Sequence, residues 1–261
     1  MVSPTTEPSK GNGNIVNLPG TATIRVPVAG VWARTTSPRP IDAAIVADDA
    51  DHEQWLRDLD GVALEDGRLG LLDRFETEAL EGEPVVVRSH TADGWSQVVC
   101  PWQPSSKDAE GYPGFIRTAH LDAGGATRAR PSAGGAVTRT DLLAEARRYV
   151  GLAYLWGGIS ADGLDCSGLV HFSCRNLGLT VARDCDDQHE IDCEPVELGT
   201  TEPGDLLFFA RPAERIHHVA IAAGGDTILH SPSTGHRIVE ESMPETRRRT
   251  LVAAGRLRCL Q

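Results

Sequence analysis

The tetrapeptide Asp165-Cys166-Ser167-Gly168 opens an apolar stretch with helical spacing, and two histidines, His218 and His230, follow far downstream. A thiol becomes a nucleophile when its thiolate is stabilised, a base lies within reach and a third polar group orients that base. This set offers a candidate for each role. Cys166 falls at the expected first turn of a helix, where free backbone N–H groups and the positive end of the dipole favour a thiolate. A free thiol is only a few per cent ionised at pH 7, and a helix terminus with a neighbouring imidazole brings its pKa to about 7 or below. In His218-Val-Ala-Ile221 a period of two puts His218, Ala220 and Ala222 on one face and Val219 and Ile221 on the other. Ile228 and His230 share a face of the following segment. Two adjacent strands therefore bring the imidazoles side by side, one as base and the other fixing its tautomer. His217 is expected on the opposite face, away from the chemistry, and His171 is expected to be structural.

These side chains need a helix and a sheet to hold them. Thr138 and Asp141 fit a capping box, Leu142, Leu143, Ala146 and Val150 form a stripe, and Gly151 ends a first helix. A second helix runs from about Cys166 to Leu177 and stops at Gly178. Strands are expected at 206–210, 218–222, 227–230, 237–240 and 251–254. Helices first and strands second imply an α+β domain with an antiparallel sheet, over 138–261. Residues 122–137 have linker composition. Ahead of them, 21–121 read as a small all-β barrel, with strands around Ile24–Val28, Phe75–Leu80, Pro84–Arg88, Trp95–Val99 and Phe115–Ile116. Trp55, Leu56 and Leu59 share a helical face, so a helix is inserted into that barrel. Residues 1–20 read as a disordered tail.

Bulk properties exclude several classes. The chain of 261 residues is 40% hydrophobic, enough for a core, and carries a net charge of −12. That balance excludes nucleic acid and anionic membranes as partners, since both need a positive footprint. Arg247-Arg248-Arg249 is too short to supply one and reads as a solvated turn. No signal-like segment is visible and no apolar run nears the ~18 residues of a membrane span, so a cytoplasmic location is expected. The six cysteines are expected to be reduced. Cys185, His189 and Cys193 recur every four residues, but without a C-x-x-C pair or an evident fourth ligand. No metal or other cofactor is expected.

Six segments together carry a family resemblance: Tyr154-Leu-Trp156-Gly157-Gly158, Asp165-Cys-Ser-Gly168, Arg183-Asp184-Cys-Asp-Asp-Gln188, Pro203-Gly-Asp-Leu-Leu-Phe208, His218-Val-Ala-Ile221 and Ile228-Leu-His230. In this order they resemble the NlpC-type cell-wall cysteine peptidases, which are papain-like. The resemblance implies Cys166 as nucleophile, His218 as base, His230 as third member and the Tyr154 hydroxyl as a helper in the oxyanion hole. Gly70-Leu71, Phe75-Glu-Thr-Glu, Gly82-Glu83-Pro84-Val85, Gly94-Trp95 and Gly111-Tyr-Pro-Gly-Phe115 resemble the SH3-like barrel of one branch. That branch comprises γ-D-glutamyl-L-diamino-acid endopeptidases, which release L-Ala-γ-D-Glu from murein stem peptides whose alanine amine is free. By resemblance Glu83, Tyr112 and Asp165 hold that ammonium, and Ser167, Arg183, Asp184 and Cys185 line the γ-D-Glu site. Cys185 departs from the family, which usually has Ser or Ala there.

The expected activity is thus a cysteine peptidase of peptidoglycan recycling. The competing readings are a hydrolase of the intact wall, with the barrel as anchor, and a non-catalytic wall-binding protein. The oligomeric state and the choice of Lys or diaminopimelate in the substrate leave no mark in the sequence.

Overall fold

The computed structural model describes residues 20–261. The expected tail lies outside the described residues except for Gly20, which begins a strand. The N-terminal half holds β1 (Gly20–Ile24), β2 (Val28–Trp32), α1 (Ala43–Val46), α2 (His52–Asp60), β3 (Phe75–Leu80), β4 (Pro84–His90), β5 (Trp95–Cys100), β6 (Tyr112–Arg117) and β7 (Leu121–Asp122). Its strands form one antiparallel sheet in the order β3-β2-β6-β5-β4-β1-β7. The single strand expected around 24–28 is two, because the chain turns at Arg25–Pro27 to pair β1 with β4 and β2 with β3. The inserted helix is α2, started by Asp51, whose carboxylate accepts the Gln54 N–H at 2.9 Å.

The C-terminal half contains α3 (Arg139–Arg147), the short pair β8 (Ile159–Ser160) and β9 (Gly163–Leu164), α4 (Cys166–Asn176) and α5 (Cys185–Asp187). A second antiparallel sheet follows, of β10 (Cys193–Val196), β11 (Leu206–Phe209), β12 (His218–Gly224), β13 (Thr227–His230), β14 (Val239–Ser242) and β15 (Leu251–Leu257), with α6 (Glu245–Arg248) between the last two. Its order is β10-β15-β11-β12-β13-β14. The capping box of α3 forms, with the Asp141 carboxylate accepting the Thr138 N–H at 2.8 Å. The helix ends three residues early, so Val150 leaves the stripe and is exposed, while Leu142, Leu143 and Ala146 stay buried. α4 packs its apolar side against Phe208, Val219, Ile221 and Leu229 of the sheet. Each fully buried side chain of this size contributes about 1.5–3 kcal/mol. Strand β10 escaped the periodicity reading because Cys193-Glu-Pro-Val196 mixes polar residues and a proline on an edge strand.

The two halves share buried contacts. Leu155 of the C-terminal half enters the aromatic cluster of Trp32, Trp55, Phe75 and Trp95. The Trp156 indole donates to the Phe75 carbonyl at 2.8 Å. Buried Glu78 accepts the Ile159 N–H at 2.8 Å and faces His52 Nε2 at 2.7 Å. These bonds satisfy polar groups that docking removes from water, and they fix one half against the other. Among the described residues no helix is long and apolar enough to cross a membrane.

Candidate active site

Cys166 is the first residue of α4. Asp165, in extended conformation, caps the helix and accepts the Gly168 N–H at 2.6 Å. Gly168 is required at that point, since a Cβ there would run into the Gly158 carbonyl. The Cys166 thiol is buried and its pKa is lowered. The largest cause is a hydrogen bond from Cys185; burial and the Asp165 charge oppose it, and the N–H groups of Val219 and Ser167 assist. Val219 directly follows His218, so the start of β12 lies against the sulfur. The single S–H proton of Cys185 also has the Ile216 carbonyl in reach at 3.7 Å, and a thiolate at Cys166 draws it away. The hydrogen bond to Cys166 and then burial raise the Cys185 thiol itself well above the usual range.

Strand register brings the two histidines together as expected: His218 Nε2 lies 2.9 Å from His230 Nδ1. His230 Nε2 lies 3.1 Å from Glu241 Oε1 on β14, a contact the sequence reading missed. A carboxylate only accepts, so His230 donates from Nε2 and accepts at Nδ1. His218 therefore donates from Nε2 and keeps its lone pair on Nδ1. His218 is held neutral, its pKa pushed well below the usual value by burial and then by the Arg247 charge. Arg247 is not part of a solvated turn. It is half-buried, donates to the Pro232 carbonyl at 2.6 Å and lies 6.0 Å from the Phe209 ring, which itself lies 5.4 Å from His218. His217, expected to face away, is at the rim of the cleft beside Cys166, because it precedes the regular strand and its period does not apply there. His171 is buried and donates from Nδ1 to the Val181 carbonyl, 3.0 Å away, as a structural residue would.

The cleft around Cys166 has a volume of about 640 Å³ and takes side chains from both halves of the chain. Tyr154, Asp165, Ser167, Asp184 and Cys185 line it from the C-terminal half, with Tyr112 from the N-terminal half. The Tyr154 phenol is buried next to Cys166, which with burial pushes its pKa up. The Tyr112 hydroxyl lies 3.0 Å from Asp184 Oδ2 and 3.1 Å from Glu76 Oε2. Glu76, on β3, was not singled out in sequence; an alternating strand acid reads as a solvated one. Burial raises the Asp184 pKa, and the Arg183 and Lys107 charges oppose that rise.

Three expected substrate contacts are corrected. Glu83 does not face the cleft: it is 1% exposed, ion-paired with Arg175 and accepts the Leu80 N–H at 2.9 Å. Arg183 is 1% exposed, and its fork is filled by Asp165 at 3.1 and 2.6 Å, with Ser167 at 3.0 Å and Thr77 at 2.9 Å. Asp165 in turn receives Gly157 N–H at 2.9 Å, Ser167 Oγ at 3.2 Å, Gly168 N–H and Arg183, which leaves no carboxylate position for an ammonium. Arg183 lies behind the cleft, and Asp165 lines it with its carboxylate already engaged. Cys185, His189 and Cys193 are not gathered either, since His189 meets Phe208 edge-on and Cys193, on β10, pairs with β15. The one cluster of potential ligands among the described residues is Asp184, Asp186 and Asp187.

Residues 151–254 match the model of the NlpC/P60 family. The chain is 30% identical to the gamma-D-glutamyl-L-lysine dipeptidyl-peptidase of Bacillus subtilis (strain 168), over 84% of its own length and 92% of that protein. It is 26% identical to the protein of the same name from Bacillus cereus (strain ATCC 10987 / NRS 248), over 81% and 83% respectively. A crystal structure of an NlpC/P60 family protein from Bacillus cereus ATCC 10987 shares the fold, with a TM-score of 0.81 at 23% identity, covering 91% of this chain and 99% of that one. With a helix-capped thiol, a paired imidazole base and this similarity along most of its length, the chain belongs to the NlpC/P60 family of cysteine peptidases.

Proposed function

We propose that this peptidase cleaves the bond between γ-D-Glu and the following L-diamino acid in murein stem peptides whose N-terminal L-Ala carries a free amine, releasing L-Ala-γ-D-Glu. The observation that carries this reading is the acidic end of the cleft, where Glu76 and Tyr112 from two strands of the N-terminal sheet meet Asp184, the residue before α5, near Cys166. An ammonium entering a half-buried site needs acidic partners, and these groups supply them. The names of the two Bacillus relatives agree with this substrate class.

In the reaction Cys166 passes its thiol proton to His218, the resulting thiolate attacks the γ-carbonyl carbon, and the carbonyl oxygen takes up the negative charge. The Tyr154 hydroxyl and backbone N–H groups at the start of α4 stabilise that oxygen. Protonated His218 gives its proton to the departing amine, and His230 keeps its ring oriented. Water then attacks the thioester, with His218 as base, and returns the free thiol. Ser167 and Cys185 lie beside the γ-D-Glu moiety, next to the nucleophile.

The test compares a free-amine tripeptide, its N-acetylated form and intact peptidoglycan by mass spectrometry. Cleavage of the first alone, with discrimination of about 10²-fold or more over the second, supports the reading. Equal kcat/KM for both peptides, or solubilised wall, assigns the protein to the hydrolases of intact peptidoglycan.

A further inference from the structure

The acidic end of the cleft already holds a cation. Lys107, on the loop between β5 and β6, places Nζ 3.0 Å from Glu76 Oε2 and 3.1 Å from Asp184 Oδ2. It also hydrogen-bonds the Tyr112 hydroxyl and lies 4.2 Å from the centre of that ring. The three ammonium protons thus have three partners, and they are the groups that the substrate's amine requires.

We propose that Lys107 is a built-in competitor for the amine subsite, a specificity-determining side chain that the substrate's N-terminal ammonium displaces. The inference rests on the free-amine reading above. Two ammonium groups cannot share one focus of acceptors without close like-charge repulsion in a partly desolvated site. One of them must leave, and the geometry favours Lys107 as the mobile one. Its side chain is 43% exposed, on a flexible four-carbon stem, whereas those of Glu76 and Asp184 are 27% and 29% exposed. Its loop stays in place during the exchange, because Ser106 N–H is bonded to buried Asp187 at 2.8 Å.

The exchange has a chemical rationale. Without a cation, the Glu76 and Asp184 carboxylates would repel each other in one partly buried site. Lys107 offsets that repulsion while the pocket is empty. A free amine then replaces one cation by another. An acylated amine brings no charge to exchange and leaves Lys107 in the way. The displacement lowers the apparent affinity for free amines by the fraction of time that the subsite is open. A lysine resident for about nine-tenths of the time weakens binding about tenfold.

The test uses the full chain with Cys166→Ala, to prevent turnover, and calorimetry with L-Ala-γ-D-Glu and its N-acetylated form at about pH 7, where the α-amine is charged. Lys107→Ala should tighten binding of the free-amine dipeptide by about tenfold, with no comparable gain for the acetylated one. Lys107→Arg keeps a resident cation and should bind no more tightly than the parent. Unchanged or weaker binding of the free-amine dipeptide by Lys107→Ala overturns the proposal and makes Lys107 a permanent partner of the two acids. A parent that binds both dipeptides equally overturns the free-amine reading, and the role of Lys107 falls with it. A parent that discriminates, without tightening in Lys107→Ala, overturns the role of Lys107 alone.

Discussion

His218 Nε2 and His230 Nδ1 lie 2.9 Å apart, and that one contact, extended by Glu241 at 3.1 Å from His230 Nε2, sets the direction of every proton in the row. Because Glu241 can only accept, the basic nitrogen of His218 is Nδ1. Cys166→Ala and His218→Ala should abolish turnover. His230→Ala should lower kcat strongly without erasing it, since an orienting group contributes less than the nucleophile or base. Glu241→Gln should lower kcat by less than about tenfold, as a partly exposed member two bonds from the base. A kcat for Glu241→Gln equal to that of the parent would remove Glu241 from the row.

The Cys166 thiol is lowered chiefly by the proton that Cys185 offers it. Cys185→Ala removes that donor, so the Cys166 pKa should rise and the thiolate fraction at neutral pH should fall. The pH profile of iodoacetamide alkylation should shift to higher pH, with slower reaction at pH 7. A profile that stays in place would mean that Cys185 gives its proton to Ile216 alone.

Glu76 and Glu83 should separate function from stability. Glu76→Gln should raise KM for the free-amine peptide and narrow its advantage over the acetylated form. Glu83→Ala strands the buried Arg175 guanidinium, which costs about 3–5 kcal/mol and should appear as a large fall in Tm. Selectivity among the surviving folded molecules should be that of the parent. Thermal melts and paired kcat/KM values check both halves of this contrast.

Acid should destabilise the fold from below about pH 6.5, through His171. Burial lowers its folded pKa to about 3, while the unfolded chain keeps a value near 6.5. Between those values the unfolded state binds the extra proton, so stability falls as pH falls, by about 1.4 kcal/mol per pH unit for this one group. The contribution is complete above pH 6.5. His171→Gln keeps a polar group toward the Val181 carbonyl without titrating and should flatten that slope, read from denaturant midpoints between pH 4 and 7. An unchanged slope would assign the acid sensitivity to other groups.

Local pattern was enough to place Cys166, His218 and His230. A cap and an apolar run define where a helix begins, and the period of a strand defines which side chains share a face. The same rules delivered α2, α3, α4 and most strands of both sheets, with errors where a segment is short or irregular: Val150 beyond the end of α3, His217 just before β12, and the edge strand β10. What sequence pattern could not decide is which charges meet. Glu76, Glu83, Asp165 and Arg183 are all acids or bases at the boundary of two packed halves, and each has a plausible partner in solvent or substrate. Folding of the peptidase half closes Arg183 on Asp165, and docking of the N-terminal sheet on that half sends Glu83 to Arg175, 92 residues away, and leaves Glu76 with Tyr112, Asp184 and Lys107 in the cleft. A charge that loses water must find a partner close at hand, so its role is set by long-range packing and not by its neighbours in the chain.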